Sequence, residues 1–216
     1  MTDRASIKKI GGSDIAAILG LSRWKSAHSL YLHLIGELPT QVDNDAMERG
    51  RKLEPVIANI FAANHEEFML DDDDAFLMED HEYPFLIGSP DRLLVRKSPA
   101  SELDSGLEIK TADISKANEW SDEDTDEIPI EYLLQCQWYT GMCGLPDWHL
   151  AVGFVKPGSK KIVAYREYYI ESDPARFEAM KQLAIDFWNN HVVPKVAPEV
   201  TEADAETQIK VECGGL

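Results

Sequence analysis

Two apolar stretches near the middle of the chain, each with acidic residues at a defined place, constrain the fold most strongly. Gly88-Ser89-Pro90-Asp91 leads into one apolar run, and Leu107-Glu108-Ile109-Lys110-Thr111 lies inside another, with Glu108 17 residues after Asp91. Both runs have the length and composition of β-strands. Because side chains alternate along a strand, Glu108 and Lys110 share one face. If the two strands pair, Asp91 lies beside that face.

Two carboxylates and one ammonium group at one point are typical of a site for a hard divalent cation. Carboxylate oxygens bind Mg²⁺ or Mn²⁺, which keep several waters and take phosphate oxygens as further ligands. Such an ion polarises a phosphoryl group, and a nearby Lys orients the attacking water or offsets charge in the transition state. The residues alone also allow a second interpretation, in which a turn leads into a surface strand that carries an ion pair.

Five motifs occur in order between Ile10 and about Gly153. They are Ile10-Gly11-Gly12-Ser13-Asp14-Ile15-Ala16, Gly50-Arg51-Lys52-Leu53-Glu54-Pro55, Gly88-Ser89-Pro90-Asp91, Leu107-Glu108-Ile109-Lys110 and Tyr132-Leu133-Leu134-Gln135-Cys136-Gln137. With these motifs the chain resembles the YqaJ-type viral recombinases, relatives of the phage lambda exonuclease in the PD-(D/E)xK nuclease superfamily. The resemblance implies an α/β fold with a restriction-endonuclease-like core, in which a central mixed β-sheet is flanked by helices.

The same resemblance implies an activity and partners. It implies a Mg²⁺-dependent 5′-to-3′ exonuclease that digests one strand of linear double-stranded DNA and leaves 3′ single-stranded overhangs for recombination. Two ions are expected per site, and Mn²⁺ is expected to substitute for Mg²⁺. A homotrimeric ring around the duplex and a single-strand annealing partner are also implied, in the cytoplasm of a bacterial host. An endonuclease of the same fold and a non-catalytic protein that binds DNA ends remain alternatives.

The resemblance also implies the residues of the catalytic centre. The metal ligands would be three carboxylates and one main-chain carbonyl group: Glu54, Asp91, Glu108 and Ile109. Lys110 would position the attacking water, and the neutral amide of Gln135 would hold a metal-bound water or a phosphate oxygen. From the residues alone, pairing of Glu54 with Arg51 or Lys52 is the alternative, because a buried carboxylate is rare unless it is paired or bound to metal.

A phosphate site is expected near the first motif. Ser13 is predicted to cap a helix, where a hydroxyl and backbone N–H groups can bind an anion or simply end the helix. By resemblance Ser13 contacts the 5′-terminal phosphate, Ser89 also holds phosphate, and Met47 is an apolar wedge between the strands, although a Met at helical spacing is also typical of a core. Lys116 lies on a short polar segment that suits either a phosphate contact or a solvated lysine. The family has an Arg shortly before this Ser, where this chain has Ser6, and the candidates for its role are Arg4, Lys8 and Lys9.

Periodicity and turn residues predict the remaining elements. Helices are expected over residues 26–35, 43–64, 129–143 and 173–193, with a kink or break at Pro55 in the second. Strands are expected over residues 76–78, 83–87, 148–155 and 162–170. Just before the first of these helices, Arg23-Trp24-Lys25 is a basic and aromatic cluster that can either grip nucleic acid or pack its Trp.

The composition allows one domain with a short tail. A chain of 216 residues with 44% hydrophobic content can bury a core. We expect one nuclease domain over residues 1–198 and an acidic, weakly packed tail over residues 199–216. No apolar run reaches about 18 residues, so no membrane span is expected. No signal peptide is predicted, and the three cysteines lack metal-site spacing, which fits reduced thiols in the cytoplasm.

The net charge of −18 is the main objection to DNA binding, because phosphate binding usually relies on a basic surface. Most of this charge lies in three segments that contain no Lys or Arg. Residues 71–82, 121–131 and 199–206 carry seven, six and four acidic residues. A DNA channel can therefore avoid these segments, which are expected to be solvated loops.

Overall fold

The computed structural model of the chain describes residues 8–38, 44–71, 77–97, 103–121 and 127–201. Its elements follow in chain order as α1 (Gly12–Ile18), α2 (Ala27–Ile35), α3 (Asp45–Asn64), β1 (Phe68–Asp71), β2 (Met78–Glu79), β3 (Ile87–Gly88), β4 (Arg92–Arg96), β5 (Leu103–Asp113), a 3₁₀ helix (Ile114–Glu119), α4 (Ile130–Cys143), β6 (Asp147–Val155), β7 (Ile162–Glu171), α5 (Pro174–Phe187) and a π-helical turn (Trp188–Val192).

A five-stranded mixed sheet forms the centre of the fold, with the strand order β1-β4-β5-β6-β7. Only β5 and β6 pair in parallel, and α4 forms the crossover between them. The other neighbours in this sheet are antiparallel, and β2 and β3 form a separate two-stranded ribbon. The predicted mixed sheet with flanking helices is confirmed.

Helices cover both faces of the sheet. On one face α3 packs Leu53, Ile57 and Phe61 against a cluster that includes Leu107 and Ile109 of β5. On the other face α1, α4 and α5 pack in a larger apolar cluster. The alternation of β5 therefore buries its apolar residues under α3 and directs Glu108 and Lys110 to the α4 face, as the period of two predicts.

Capping residues explain where most of the helices begin and end. Ser26 caps α2 by accepting a hydrogen bond from the Ser29 N–H group at 2.9 Å, and Asp173 caps α5 through the Arg176 N–H group at the same distance. Gly36 and Gly144 end α2 and α4 in the left-handed region with φ angles of 81° and 65°. Only glycine adopts this conformation without strain, so these stops could be predicted from sequence.

Three predictions about helices are wrong. Ser13 is not the cap of α1, because Gly11 holds that place and its N–H group donates to Asp14 Oδ2 at 3.0 Å. Helix α3 begins at Asp45 after the cap Asn44, while position 43 lies outside the described residues. The same helix runs from Asp45 to Asn64 without a break at Pro55, so the break that was one of the two outcomes predicted there does not occur.

The three short strands β1, β2 and β3 differ from the prediction. Strand β1 was not predicted, because its four residues follow directly on a helix and lie among acidic residues. The predicted strand over residues 83–87 is reduced to β3, and the one over residues 76–78 corresponds to β2 as far as the described residues go. The strands predicted over residues 148–155 and 162–170 are confirmed as β6 and β7.

The chain after α5 folds back onto α2. His28 is buried, and its Nδ1 atom lies 3.1 Å from the carbonyl oxygen of Pro198. The described residues end at position 201, so most of the predicted acidic tail lies outside them. Within the described ranges, no helix combines the length and the apolar character that crossing a bilayer requires.

Two helical glycines give a matched test of the packing between α4 and α5. A Cβ atom added at Gly141 in α4 would overlap the Phe177 ring of α5, whereas one added at Gly50 in α3 meets nothing within 4 Å. We expect Gly141→Ala to lower the free energy of unfolding by about 1–3 kcal/mol through overpacking. Gly50→Ala is expected to raise it by about 0.5–1 kcal/mol. Urea unfolding of both variants checks this, and equal stability of the two would contradict the close α4–α5 packing.

Candidate active site

A cleft of about 400 Å³ lies where α1 and α4 meet the ends of β4 and β5. It brings together six of the residues predicted from sequence to form the site, which are Ser13, Ser89, Asp91, Glu108, Lys110 and Gln135. These residues come from four separate parts of the chain, so only the fold brings them together. Glu54, Met47 and Lys116 do not line the cleft, and Arg4 lies outside the described residues.

The pairing of β4 with β5 places Asp91 in this cleft. Arg92 pairs with Leu107, so the preceding residue Asp91 lies opposite Glu108. Asp91 Oδ2 accepts a hydrogen bond from the Ile109 N–H group at 2.8 Å. The carboxylate is thereby fixed against the backbone of the strand that carries Glu108 and Lys110.

Glu108 is the most buried acidic side chain of the site, at 2% exposure. Its Oε1 atom lies 2.5 Å from Lys110 Nζ and accepts a hydrogen bond from Gln135 Nε2 at 2.8 Å. Its Oε2 atom is also buried and has no hydrogen-bond partner. A buried carboxylate oxygen without a partner costs free energy, so the site is short of one cationic or donor group.

The pKa values of the cleft residues also indicate that the site is short of positive charge. Burial and, to a smaller extent, the Asp91 carboxylate raise the pKa of Glu108, Lys110 opposes both effects, and the net value is about 8. Burial lowers the pKa of Lys110, but the Glu108 and Asp91 carboxylates more than offset this, so the pKa lies above its ordinary value and the ammonium group stays charged. One ammonium group does not fully compensate two adjacent carboxylates.

Tyr139 is a site residue that the sequence analysis missed. Gln135 Nε2 donates to its hydroxyl group at 3.0 Å, and that hydroxyl donates to the carbonyl oxygen of Ser89 at 3.1 Å. Burial raises the pKa of Tyr139 well above its ordinary value, so the hydroxyl stays neutral. Its position one helical turn after Gln135 was the available signal, because residues four apart share a helix face.

Two lysines besides Lys110 line the cleft. Lys9 pairs with Glu79, and Lys25 Nζ lies 2.6 Å from Asp14 Oδ1. Of the basic residues considered for the phosphate site, Lys9 is therefore placed in the cleft, while Lys8 lies against Gly36. Lys25 was predicted only as part of a basic and aromatic cluster.

The other two residues of that cluster lie at the surface beside the cleft. Arg23 Nε donates to Glu131 Oε1 at 2.7 Å, and Trp24 is 62% exposed. The Trp24 ring lies 5.8 Å from the Tyr132 ring, which in turn lies 5.2 Å from Lys110 Nζ. Tyr132 therefore connects Lys110 to an exposed aromatic ring at the surface.

Glu54 approaches the site from the opposite face of the sheet. It is half-buried on α3, and its Oε1 atom accepts a hydrogen bond from Arg92 Nη1 at 3.0 Å. The sequence analysis had suggested pairing with Arg51 or Lys52, but Lys52 pairs with Glu48. Glu54 also contributes to the raised pKa of Glu108. Across the described ranges, no three His, Cys, Asp or Glu side chains are grouped so as to hold a metal ion.

The remaining predicted contacts lie away from the cleft. Met47 is in the first turn of α3, where its N–H group donates to Asn44 Oδ1, and Lys116 is exposed on the 3₁₀ helix. Gln137 points into the scaffold, because its amide bonds the carbonyl oxygen of Glu171 at 2.7 Å and the N–H group of Asp173 at 2.8 Å. The two glutamines of the fifth motif thus have different surroundings.

Comparison with solved structures shows a shared fold. The chain is similar to an alkaline exonuclease, LHK-Exo, from Laribacter hongkongensis, with a TM-score of 0.64 and 19% identity over 97% of this chain and 95% of that one. It is also similar to a phage-related exonuclease from Haemophilus somnus 129PT, with a TM-score of 0.63 and 13% identity over 84% of this chain and 94% of that one. At these identities the likeness establishes the nuclease fold alone.

Comparison of sequences is more specific. The chain is 32% identical over 199 residues to the uncharacterized protein YqaJ of Bacillus subtilis (strain 168), a match that covers 92% of this chain and 58% of that protein. It therefore spans little more than half the length of this relative. The model of the YqaJ-like viral recombinase domain matches residues 3–146, which include all five motifs and every cleft residue described above. The chain belongs to the YqaJ-like viral recombinase family.

Proposed function

We propose that this protein is a Mg²⁺-dependent DNA exonuclease that digests one strand of a linear duplex from its 5′ end and leaves 3′ single-stranded overhangs. The observation that carries the proposal is the convergence of Asp91, Glu108, Lys110 and Gln135 in one cleft, with a buried oxygen of Glu108 left unpartnered. Membership of the viral recombinase family supports a DNA substrate. The fold shared with two exonuclease structures is consistent with this activity.

The residues of the cleft fit a hard divalent cation. Asp91 and Glu108 offer carboxylate oxygens, which Mg²⁺ and Mn²⁺ prefer, and the pKa of Glu108 is raised as expected for a carboxylate that lacks sufficient positive charge nearby. With Glu54 and the carbonyl of Ile109 they form the proposed ligand set, for two ions. When bound, such ions polarise the phosphoryl group and lower the pKa of a coordinated water.

Three side chains of the cleft have proposed roles around the reacting phosphate. The ammonium group of Lys110, fixed by Glu108 and the Tyr132 ring, holds the attacking water and offsets negative charge. Gln135 keeps Glu108 in one orientation through the 2.8 Å hydrogen bond between their side chains. Tyr139 in turn links Gln135 to the backbone of Ser89, so the amide is held in place before substrate binds.

The 5′-phosphate is proposed to bind at the α1 end of the cleft. Ser13 is exposed there and lines the cleft with Ser89, Lys9 and Lys25. Asp14 holds Lys25 through one oxygen and the Gly11 N–H group through the other, so the ammonium group is fixed beside the first turn of α1. Lys25 and Lys9 thus take the place that the family Arg would have.

The proposal extends to a wider assembly, for which family membership is the support. The proposal includes a homotrimeric ring around the duplex and a single-strand annealing partner, in the cytoplasm of a bacterium that carries the phage or prophage. Met47 and Lys116 remain proposed DNA contacts outside the cleft, as a strand-separating wedge and a phosphate contact. Arg4 remains a candidate phosphate contact beyond the described residues.

Removal of the central lysine or aspartate tests the catalytic proposal. We expect Lys110→Met and Asp91→Asn each to slow the release of acid-soluble nucleotides from linear duplex DNA by about 10²-fold or more, because each removes a charge that acts on the reacting phosphate. Lys97→Met, which changes an exposed lysine bonded to the backbone of Glu66, is the matched control and should retain activity.

The choice of DNA substrate distinguishes an exonuclease from an endonuclease and from a non-catalytic DNA-binding protein. We expect the protein to digest a linear duplex but not a covalently closed circle. We also expect it to release a 5′ label before a 3′ label. Cleavage of the closed circle would identify an endonuclease. DNA-end binding without any nucleotide release in Mg²⁺ would identify a non-catalytic protein and would overturn the proposal.

Discrimination between DNA ends tests the phosphate subsite. We expect wild-type protein to degrade a 5′-phosphorylated duplex faster than the 5′-hydroxyl form. Lys25→Met should reduce this preference by about 10-fold, since a charge-assisted hydrogen bond contributes roughly 1.5–3 kcal/mol. Lys161→Met, an exposed lysine outside the cleft, is the control. An unchanged phosphate preference in the Lys25 variant would remove that residue from the subsite.

Burial of Glu108 makes the stability of the metal-free protein depend on pH. The pKa of Glu108 is raised from 4.5 to about 8, so between these values the folded state holds a proton that the unfolded state has lost. The free energy of unfolding therefore decreases as pH rises through this window. We expect Glu108→Gln to flatten this decrease, and Mg²⁺ to stabilise the wild type most at the alkaline end.

Thermal melts with and without chelator check this pH dependence. Glu48→Gln removes an exposed glutamate that pairs with Lys52 and should leave the slope in this window unchanged. A wild-type slope that persists in Glu108→Gln would show that another group titrates instead.

A further inference from the structure

Arg92 is a buried cation beside the proposed metal site that has no place in the mechanism above. It directly follows Asp91, and its side chain is only 9% exposed. Its Nη1 atom donates to Glu54 Oε1 at 3.0 Å and to the carbonyl oxygen of Asp91 at 2.5 Å. One guanidinium group therefore connects the acidic residue of α3 to the turn that carries the cleft aspartate.

The strand register explains how Arg92 reaches Glu54. Arg92 pairs with Leu107, and residues directly opposite each other share a face of the sheet. Leu107 packs in the cluster under α3, so Arg92 points toward α3 while Asp91 and Glu108 point into the cleft. Glu54 and the cleft carboxylates thus meet at the end of β4 from opposite faces.

We propose that Arg92 is a positioning residue for divalent-cation binding, which holds the Glu54 carboxylate against the Asp91 turn. The inference rests on the proposed function, because it assumes that a cation binds at Asp91 and Glu108. A guanidinium group suits this role, since its planar donors can hold two acceptors in fixed directions, which an ammonium group does less well. Residues that orient a metal-binding carboxylate typically change metal affinity 10- to 100-fold when mutated.

Two physical effects of Arg92 oppose each other, and this makes the proposal testable. As a nearby positive charge, Arg92 repels a divalent ion and should weaken its binding. As a hydrogen-bond partner of Glu54, it holds that carboxylate in one direction against the Asp91 turn, and should strengthen binding. The fixed two-acceptor geometry and the deep burial of Arg92 favour the second effect, because Arg92 cannot move away without leaving a buried charge unpaired.

Calorimetric titration with Mn²⁺ distinguishes the two effects without relying on activity. We expect Arg92→Gln to bind Mn²⁺ about 10-fold or more weakly than wild type, and to need correspondingly more Mg²⁺ for half-maximal nuclease activity. Arg96→Gln is the matched control, because Arg96 lies on the same strand but pairs with Asp104 at the surface. Its Mn²⁺ affinity should stay within about twofold of wild type.

A double-mutant cycle assigns the effect to Glu54. In a Glu54→Gln background, Arg92→Gln should cause no further loss of Mn²⁺ affinity, since the carboxylate that it positions is absent. Arg92→Lys keeps the charge but not the two-acceptor geometry, so it should also bind Mn²⁺ more weakly than wild type. If Arg92→Gln does not fold by circular dichroism, Arg92→Lys decides the question.

The outcomes separate this inference from the proposed function. Unchanged or tighter Mn²⁺ binding in the folded Arg92 variants would overturn the positioning role while leaving the nuclease proposal intact. A further loss in the Glu54→Gln background would also overturn it, because Arg92 would then act through another group. Failure of the wild type to bind Mn²⁺ would instead contradict the proposed function itself.

Discussion

The register between β4 and β5 is the constraint on which the site depends. It sets Asp91 opposite Glu108 and allows the Ile109 N–H group to bind the Asp91 carboxylate at 2.8 Å. A slip of one residue would turn Glu108 toward α3 and bring Leu107 to the cleft, because side chains alternate along a strand. The apolar residues on either side of Glu108 prevent this slip, since they are buried in the cluster under α3. Core packing therefore determines which way the cleft residues Glu108 and Lys110 point.

The cleft also explains how an acidic protein can handle a polyanion. Each of its three lysines already has a carboxylate partner, in the pairs Lys9–Glu79, Lys25–Asp14 and Lys110–Glu108. The described cleft is thus close to neutral and differs from the broad basic surface of many DNA-binding proteins. Divalent ions bound by the remaining carboxylate oxygens would supply the positive charge that the protein itself lacks. Under the proposed function, metal and DNA binding would be coupled through the same carboxylates.

Local patterns predicted the parts of the site that lie on single elements. Alternation placed Glu108 and Lys110 on one face, and the fifth motif led to Gln135. The same reasoning could not find the hydrogen bond between Arg92 and Glu54, because these residues lie 38 positions apart in sequence and the pairing crosses from a helix to a strand. It also misplaced the cap of α1, since the Asp14 carboxylate satisfies the Gly11 N–H group and leaves Ser13 exposed. Local signals specify elements and faces, whereas contacts between distant elements depend on the assembled sheet.

Helix α4 shows how the scaffold and the site share one element. Gln135 and Gln137 are two positions apart, so they lie on different sides of the helix. Gln135 bonds Glu108 in the cleft, while Gln137 bonds the backbone between β7 and α5. Phe177 of α5 packs so closely on Gly141 that α4 has little freedom to shift along this surface. The strands and helix after residue 146, beyond the family match, therefore hold α4 in place and fix the amide that orients Glu108.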